Sequence, residues 1–244
     1  MQTAMENGAK IEVGKMMKTG VPKKLALAIK QPFEFVQIPL FNSIGGYKSY
    51  VYPVILAMII HQTLILGIGL LQGTRNEKKE KYCKKPKDIP FTLFTRTSGC
   101  ILPYLLYGLV GFYIFPSLFS FPSYYSVVPL LILYVLMLYT TAFFAQAISY
   151  FFRIRETALL LLVPTSIVFI FLTGLIWPRE AIPQVLNIIS FFIPATCSID
   201  GIIKLNQNGA GFVNIIYDYL WLAFLCIIYF VLAVRLTEKS DSKF

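Results

Sequence analysis

Residues 51–71 read VYPVILAMIIHQTLILGIGLL, twenty-one consecutive positions without a charge. An α-helix rises 1.5 Å per residue, so a run of this length matches the ~30 Å hydrocarbon core of a bilayer. Four further stretches have the same character: Gly99–Phe119, Val127–Phe151, Thr157–Trp177 and Val213–Val234, and only the last carries a charge, Asp218. Backbone groups in lipid must bond within their own segment, and the alternating pattern of barrel strands is absent, so the spans are helices. The expected fold class is all-α: a polytopic helical membrane protein with five transmembrane helices, its membrane domain covering 51–235. The composition agrees. Hydrophobic residues make up 57% of the 244 and charged residues 14%, against ~25% charged in soluble domains, which excludes a water-soluble globule.

Basic residues set the orientation. The segment 72–98, the turn after the third span and the tail after the fifth hold thirteen Lys and Arg residues, whereas the two intervening connections hold two, Arg179 and Lys204. Positive charge marks the cytoplasmic side. The loop 72–98 and the tail 236–244 are thus expected inside, and 178–212 outside. Residues 1–50 then fall outside despite seven lysines, which leads to the expectation that an N-terminal span is missing from this chain. The net charge of +10 belongs to this pattern and to lipid headgroups, not to nucleic acid.

The absent motifs narrow the chemistry. Cys83, Cys100, Cys197 and Cys226 form no CxxC and have one histidine for company, so no metal or redox site is expected. No GxxxxGK[ST], HExxH or GxSxG occurs, and no carboxylate pair lies inside a span, so no cofactor, catalytic residue or enzymatic activity is expected.

Three features stand out from the spans. Ile182, Val185, Leu186, Ile189 and Ile193 recur at helical spacing with Gln184, Asn187 and Ser190 between them. This predicts a short amphipathic helix over Ile182–Ile193, too short to span, with Pro183 in its first turn and Pro194 as its stop. His61, beside Gln62 at the centre of its span, is either a functional intramembrane polar site or a neutral imidazole hydrogen-bonded between helices, the second being favoured. Asp218 either faces a substrate path or reaches the interface. Tyr47, Tyr50, Tyr52, Tyr124, Tyr125, Trp177, Tyr217 and Tyr219 fit an aromatic belt at the outer interface.

Several stretches resemble a known family. Residues 37–69, QIPLFNSIGGYKSYVYPVILAMIIHQTLILGIG, 149–158, SYFFRIRETA, and above all 171–211, FLTGLIWPREAIPQVLNIISFFIPATCSIDGIIKLNQNGAG, resemble permeases of ABC-type transporters of the type-2 exporter class. Trp177, Pro178, Pro183, Pro194, Thr196, Asp200, Gly201, Leu205, Asn206 and Gln207 carry the match, which covers roughly 37–235. Members begin with one more span and a larger outside domain, of which 1–50 is read as a remnant.

The resemblance implies a permease half that dimerises with a second permease subunit, homo- or heteromeric. It also implies a separate nucleotide-binding ATPase and a bacterial inner membrane. The amphipathic helix becomes a re-entrant or gate-forming element, with Trp177, Pro178, Pro183, Ile189, Pro194 and Asp200 as outer-gate residues. The loop 72–98 becomes the surface that meets the ATPase, with Arg75, Glu77, Phe91 and Phe94 as candidate coupling residues. Arg153, Arg155 and Glu156 either move with the ATPase or simply anchor the third and fourth spans at the headgroups. Two other readings stand beside this one: a secondary carrier or channel subunit, and a non-transporting membrane scaffold.

Overall fold

The computed structural model describes residues 47–83, 85–119, 127–174, 181–208 and 211–241, with side chains at 47–50, 207 and 208 left aside. Among these residues every regular element is a helix, as an all-α membrane protein requires. Helix α1 is Tyr47–Glu77, α2 Ile89–Leu109, α3 Phe115–Leu118, α4 Val127–Ser149, α5 Arg155–Leu172, α6 Gln184–Ser190, α7 Pro194–Asn208 and α8 Ile216–Asp241. Five segments are long and apolar enough to cross a membrane: Val51–Glu77, Pro86–Leu118, Val127–Ser149, Arg155–Leu172 and Phe212–Asp241.

Helix α4 is the axis. It packs against α1, α2, α7 and α8, and its Leu133, Met137, Leu138 and Ala142 are fully buried. The other spans each turn one side outward, including Leu102 and Leu106 on α2, Leu160 and Ile167 on α5, and Ile227 on α8. In water so much exposed apolar surface would aggregate; in a bilayer it is the lipid-facing side.

The expected spans differ from the helices mainly at their ends. Helix α1 runs on to Glu77, so the first residues of the expected loop 72–98 are helical and Arg75 lies in its last turn. A Schellman-type closure stops it: the Glu80 N–H bonds the Arg75 carbonyl at 3.1 Å and Lys79 takes the left-handed conformation, φ 54°, a position usually given to glycine. Only residues 78–85 and a 3₁₀ turn, Pro86–Asp88, then separate α1 from α2. The tail also changes: α8 continues to Asp241, so most of 236–244 is helix. At the end of α5, Gly174 supplies the positive φ, 79°, of a helix C-terminus.

The second span is continuous but not uniform. Between α2 and α3 the chain widens into a π-helical stretch, Val110–Ile114. Proline at 116 has no N–H to offer the preceding turn. The Tyr52 hydroxyl donates to the Gly111 carbonyl at 2.9 Å, supplying a donor within this wide turn. A Cβ at Gly111 would run into the end of the Leu56 side chain of α1, so any larger residue there requires Leu56 to move. Gly108, one turn earlier, similarly admits the Tyr134 ring of α4.

The largest correction concerns Ile182–Ile193. The helix is shorter, Gln184–Ser190, with Pro183 as its N-cap. Pro194 does not end the segment; it opens a second helix, α7, of fifteen residues, because proline suits the first helical position as well as it suits a stop. The two helices meet at a bend of 86° across a break of a few residues. Tyr219, assigned to the aromatic belt, is 7% exposed and donates its hydroxyl to the Pro129 carbonyl at 2.7 Å.

Candidate functional site

Two regions collect the polar chemistry of the described residues. One is the α6–α7 bend. A broken helix leaves carbonyls without helical partners, and at membrane depth such groups must be satisfied by protein. Helix α8 provides the donors: Trp221 Nε1 bonds the Phe191 carbonyl at 2.8 Å and the Tyr229 hydroxyl bonds the Phe192 carbonyl at 2.5 Å. Below the bend, the Lys204 ammonium meets Asp218 at 2.7 Å, and Cys197 Sγ donates to the Asp218 carbonyl at 3.4 Å. Asp218 thus ties α8 to α7. A cavity of about 450 Å³ opens beside these contacts, walled by Ile188, Phe191, Phe192, Tyr217 and Trp221, with Asp200 and Asp218 at its polar side.

The structure brings Asp200, Pro194 and α6 to this one place. It does not bury the apolar side of α6: Val185, Leu186, Ile188 and Ile189 are between 44% and 69% exposed, whereas Ser190 is buried at 1%. Of the expected apolar face, Val185, Leu186 and Ile189 thus point away from the chain's own bundle, while Ile193 is buried in it at 6% exposure. Trp177 and Pro178 lie outside the described residues. Trp221 and Tyr229 were not singled out by sequence, since a span rich in aromatics gives no hint of which carbonyl each will cap.

The second region is the opposite end of the bundle, where α1, the 150–154 turn and α2 converge. Gly73 of α1 sits so close to the start of α5 that a Cβ would lie 2.8 Å from Arg155 Cα. Asn76 Nδ2 donates to the Phe152 carbonyl at 2.7 Å. Phe152 is 2% exposed and wedges under this junction, its ring 3.3 Å from the Cβ position of Gly69. Arg153, Arg155 and Glu156 are exposed on the same end, Arg155 and Glu156 pairing at 3.1 Å. Glu77 is near enough for its charge to act on Arg155. An exposed pair of this kind contributes little to stability.

Arg75, one of the candidate coupling residues, packs on an aromatic ring. Its Cζ lies 4.6 Å from the centre of the Tyr82 ring, and Arg96 Cζ lies at the same distance from that ring. Tyr82 is 4% exposed; burial pushes its phenol up, while Arg96 and Arg75 pull it down. Both carboxylate oxygens of Asp241, at the end of α8, accept the Tyr82 N–H at 2.9 and 3.0 Å, and one also accepts the Cys83 N–H at 3.2 Å. Phe91 and Phe94 point outward from the first turns of α2, 76% and 48% exposed, and Phe94 stacks on Tyr139 at 5.6 Å.

His61 is fully buried, with its ring edge-on to Phe169 at 5.8 Å. The interhelical hydrogen bond favoured for it is not made: neither ring nitrogen, nor Gln62 Nε2, has a partner among the described residues. No cluster of three metal-ligating side chains occurs among the described residues.

The sequence profile of the ABC-2 family transporter proteins matches residues 1–235. The chain belongs to the ABC-2 transporter family. That match begins at the first residue, ahead of the 37–235 that carry the family-like motifs. Neither a curated protein nor a solved structure matches the chain. As an ABC-2 family member with five apolar spans, it is a membrane-embedded transport component.

Proposed function

We propose that this ABC-2 family chain is the permease subunit of an exporter in a bacterial plasma membrane. In this reading it pairs with a second permease chain and is driven by a separate nucleotide-binding subunit. The family assignment supports the permease role, and the 244 residues contain no GxxxxGK[ST] with which to hold a nucleotide.

The observation that carries the reading is the junction of α1 with the 150–154 turn. A driving subunit that pressed on Arg153, Arg155 and Glu156 would displace α1 together with the turn, because Gly73 and Arg155 leave no gap to take up the motion. Helix α1 then carries that displacement through the bundle toward the bent pair α6–α7, against which it packs through α7. There the outward apolar side of α6 meets lipid or the second permease chain and forms part of the outer gate, with Asp200 and the wall of α8 lining the exit.

The test is biochemical. The purified chain alone is expected to hydrolyse no ATP, and ATP-driven transport is expected only after co-reconstitution with a nucleotide-binding subunit encoded beside it. Transport driven by an ion gradient in vesicles holding this chain alone would instead make it a secondary carrier.

A further inference from the structure

A cavity of about 510 Å³ opens between the ends of α1, α2 and α4 where Arg75 lies. One side is apolar, from Ile68 and Leu71, which are deeper along α1 than Arg75. The remainder carries Arg75, Lys78 and Arg96 against a single carboxylate, Glu80. Asp241 is close by, but its oxygens are engaged by the Tyr82 and Cys83 backbone.

The donors of Arg75 are not used up. Nη2 reaches Asn76 Oδ1 at 3.3 Å, while Nε and Nη1 are sealed from solvent and have no partner among the described residues. Gln146, 6% exposed, gives its amide N–H to Thr97 and leaves Oε1 without a donor among those residues. Two buried guanidinium N–H groups lacking acceptors are costly, and the Tyr82 ring offsets only part of that cost. Arg75 and Gln146, both in the cavity lining, thus hold unused cationic donors and an unused neutral acceptor just beneath its wall.

We propose that this cavity binds a phosphate ester that bears a free hydroxyl, and its position at the end of the spans favours an anionic glycerophospholipid headgroup as the source. On binding, the Arg75 side chain would turn a free N–H onto the phosphate, with Lys78 and Arg96 adding positive charge from the same cavity lining. Gln146 Oε1 accepts the headgroup hydroxyl, and Ile68 and Leu71 meet the first methylenes of the acyl chains. Basic pockets between membrane helices at the cytoplasmic side suit such headgroups on general grounds. Occupancy would fasten α1 to α2, whatever the cargo and whichever subunit supplies the ATP.

Native mass spectrometry of the full chain in neutral detergent tests this, with phosphatidylglycerol, phosphatidylcholine, phosphatidylmethanol and glycerol 3-phosphate as probes. Phosphatidylglycerol is expected to bind in preference to phosphatidylcholine, and Arg75→Gln to weaken it about tenfold, the scale of one lost charge-assisted hydrogen bond. Gln146→Leu is expected to erase the preference for phosphatidylglycerol over phosphatidylmethanol, which lacks the hydroxyl. Lys81→Gln, an exposed loop lysine outside the cavity, is expected to change nothing. Arg75→Lys, which keeps the charge without the fork, guards against misreading an unfolded variant: it should melt like wild type yet bind more weakly. Glycerol 3-phosphate that displaces the lipid and loses affinity in Arg75→Gln would uphold the site and assign it to a soluble ester. Undiminished phosphatidylglycerol binding in the Arg75→Gln/Arg96→Gln double variant would overturn the proposal.

Discussion

Lys204 of α7 donates to both carboxylate oxygens of Asp218 on α8, at 2.7 and 3.0 Å. The two sides of the pair are unequal: the Asp218 side chain is 11% exposed and that of Lys204 is 41% exposed. Removing the lysine strands a buried carboxylate, whereas removing the carboxylate frees an ammonium that can turn to water.

Lys204→Met is therefore expected to destabilise more than Asp218→Asn, the latter by about 1–2 kcal/mol, between the surface and buried ranges. The double variant should recover part of the loss. Thermal melting of the purified chain in detergent reads this directly, and strictly additive losses would show that the pair is not coupled.

Asp241 holds residues 82 and 83 by their backbone from the far end of the chain, 159 residues from Tyr82. Asp241→Ala is expected to cost about 1–3 kcal/mol, since it leaves a buried N–H unpaired, and to speed maleimide labelling at Cys83. Asp241→Asn, which keeps one acceptor oxygen, should fall between. Unchanged labelling in both would mean that the segment is held by other contacts.

At the α1 junction, Gly73→Ala is expected to force α1 and the 150–154 turn apart, at about 1–3 kcal/mol for overpacking. Gly99→Ala is the matched control, because nothing lies within 4 Å of a Cβ there. Under the proposed function, Gly73→Ala should also lower ATP-driven transport more than ATP hydrolysis by the complex. Equal falls in both would remove the junction from the drive train.

Under the proposed function Ile189, 48% exposed in this chain, meets lipid or the second permease chain, and an ammonium placed there would meet an apolar neighbour. Ile189→Lys is expected to abolish transport while insertion and assembly persist, and Gln184→Lys, one turn earlier on the polar side, to be tolerated. Wild-type transport by both would make α6 a passive connection.

The five spans were legible because charge-free runs of twenty residues have few alternatives in a helical membrane protein. The ends of α1 and α8 were not. Arg75, Glu77 and Asp241 read as polar loop and tail, and only tertiary contacts to residues 82–83 and 152 extend the helices through them. Pro194 was ambiguous by nature: the same missing N–H that ends one helix begins another, and the choice here falls with the carbonyls that Trp221 and Tyr229 cap from thirty and thirty-seven residues away. The Arg75–Tyr82–Arg96 arrangement left no local trace either, since the eight lysines and arginines in that stretch look alike until a ring is placed among them. His61 was visible as an oddity, but its lack of a hydrogen-bond partner among the described residues was not, because spacing along one helix says nothing of what the facing helices present.

The wide turn at Val110–Ile114 also bears on how this chain should be lined up against its relatives. A π-helical stretch accommodates one residue more than an α-helix of the same rise. Deleting one position between 112 and 114 would let the span close into a regular α-helix with little change in rise or rotation beyond it, because about four α-helical residues turn as far as five π-helical ones. Phe115, which now stacks on Tyr52 at 5.6 Å, would stay on that ring's side, and the Gly111 carbonyl would still face Pro116 and need the Tyr52 hydroxyl. A one-residue gap at this spot in a relative is thus absorbed by the wide turn rather than being a change of helical phase, and positions on either side of it remain comparable face for face.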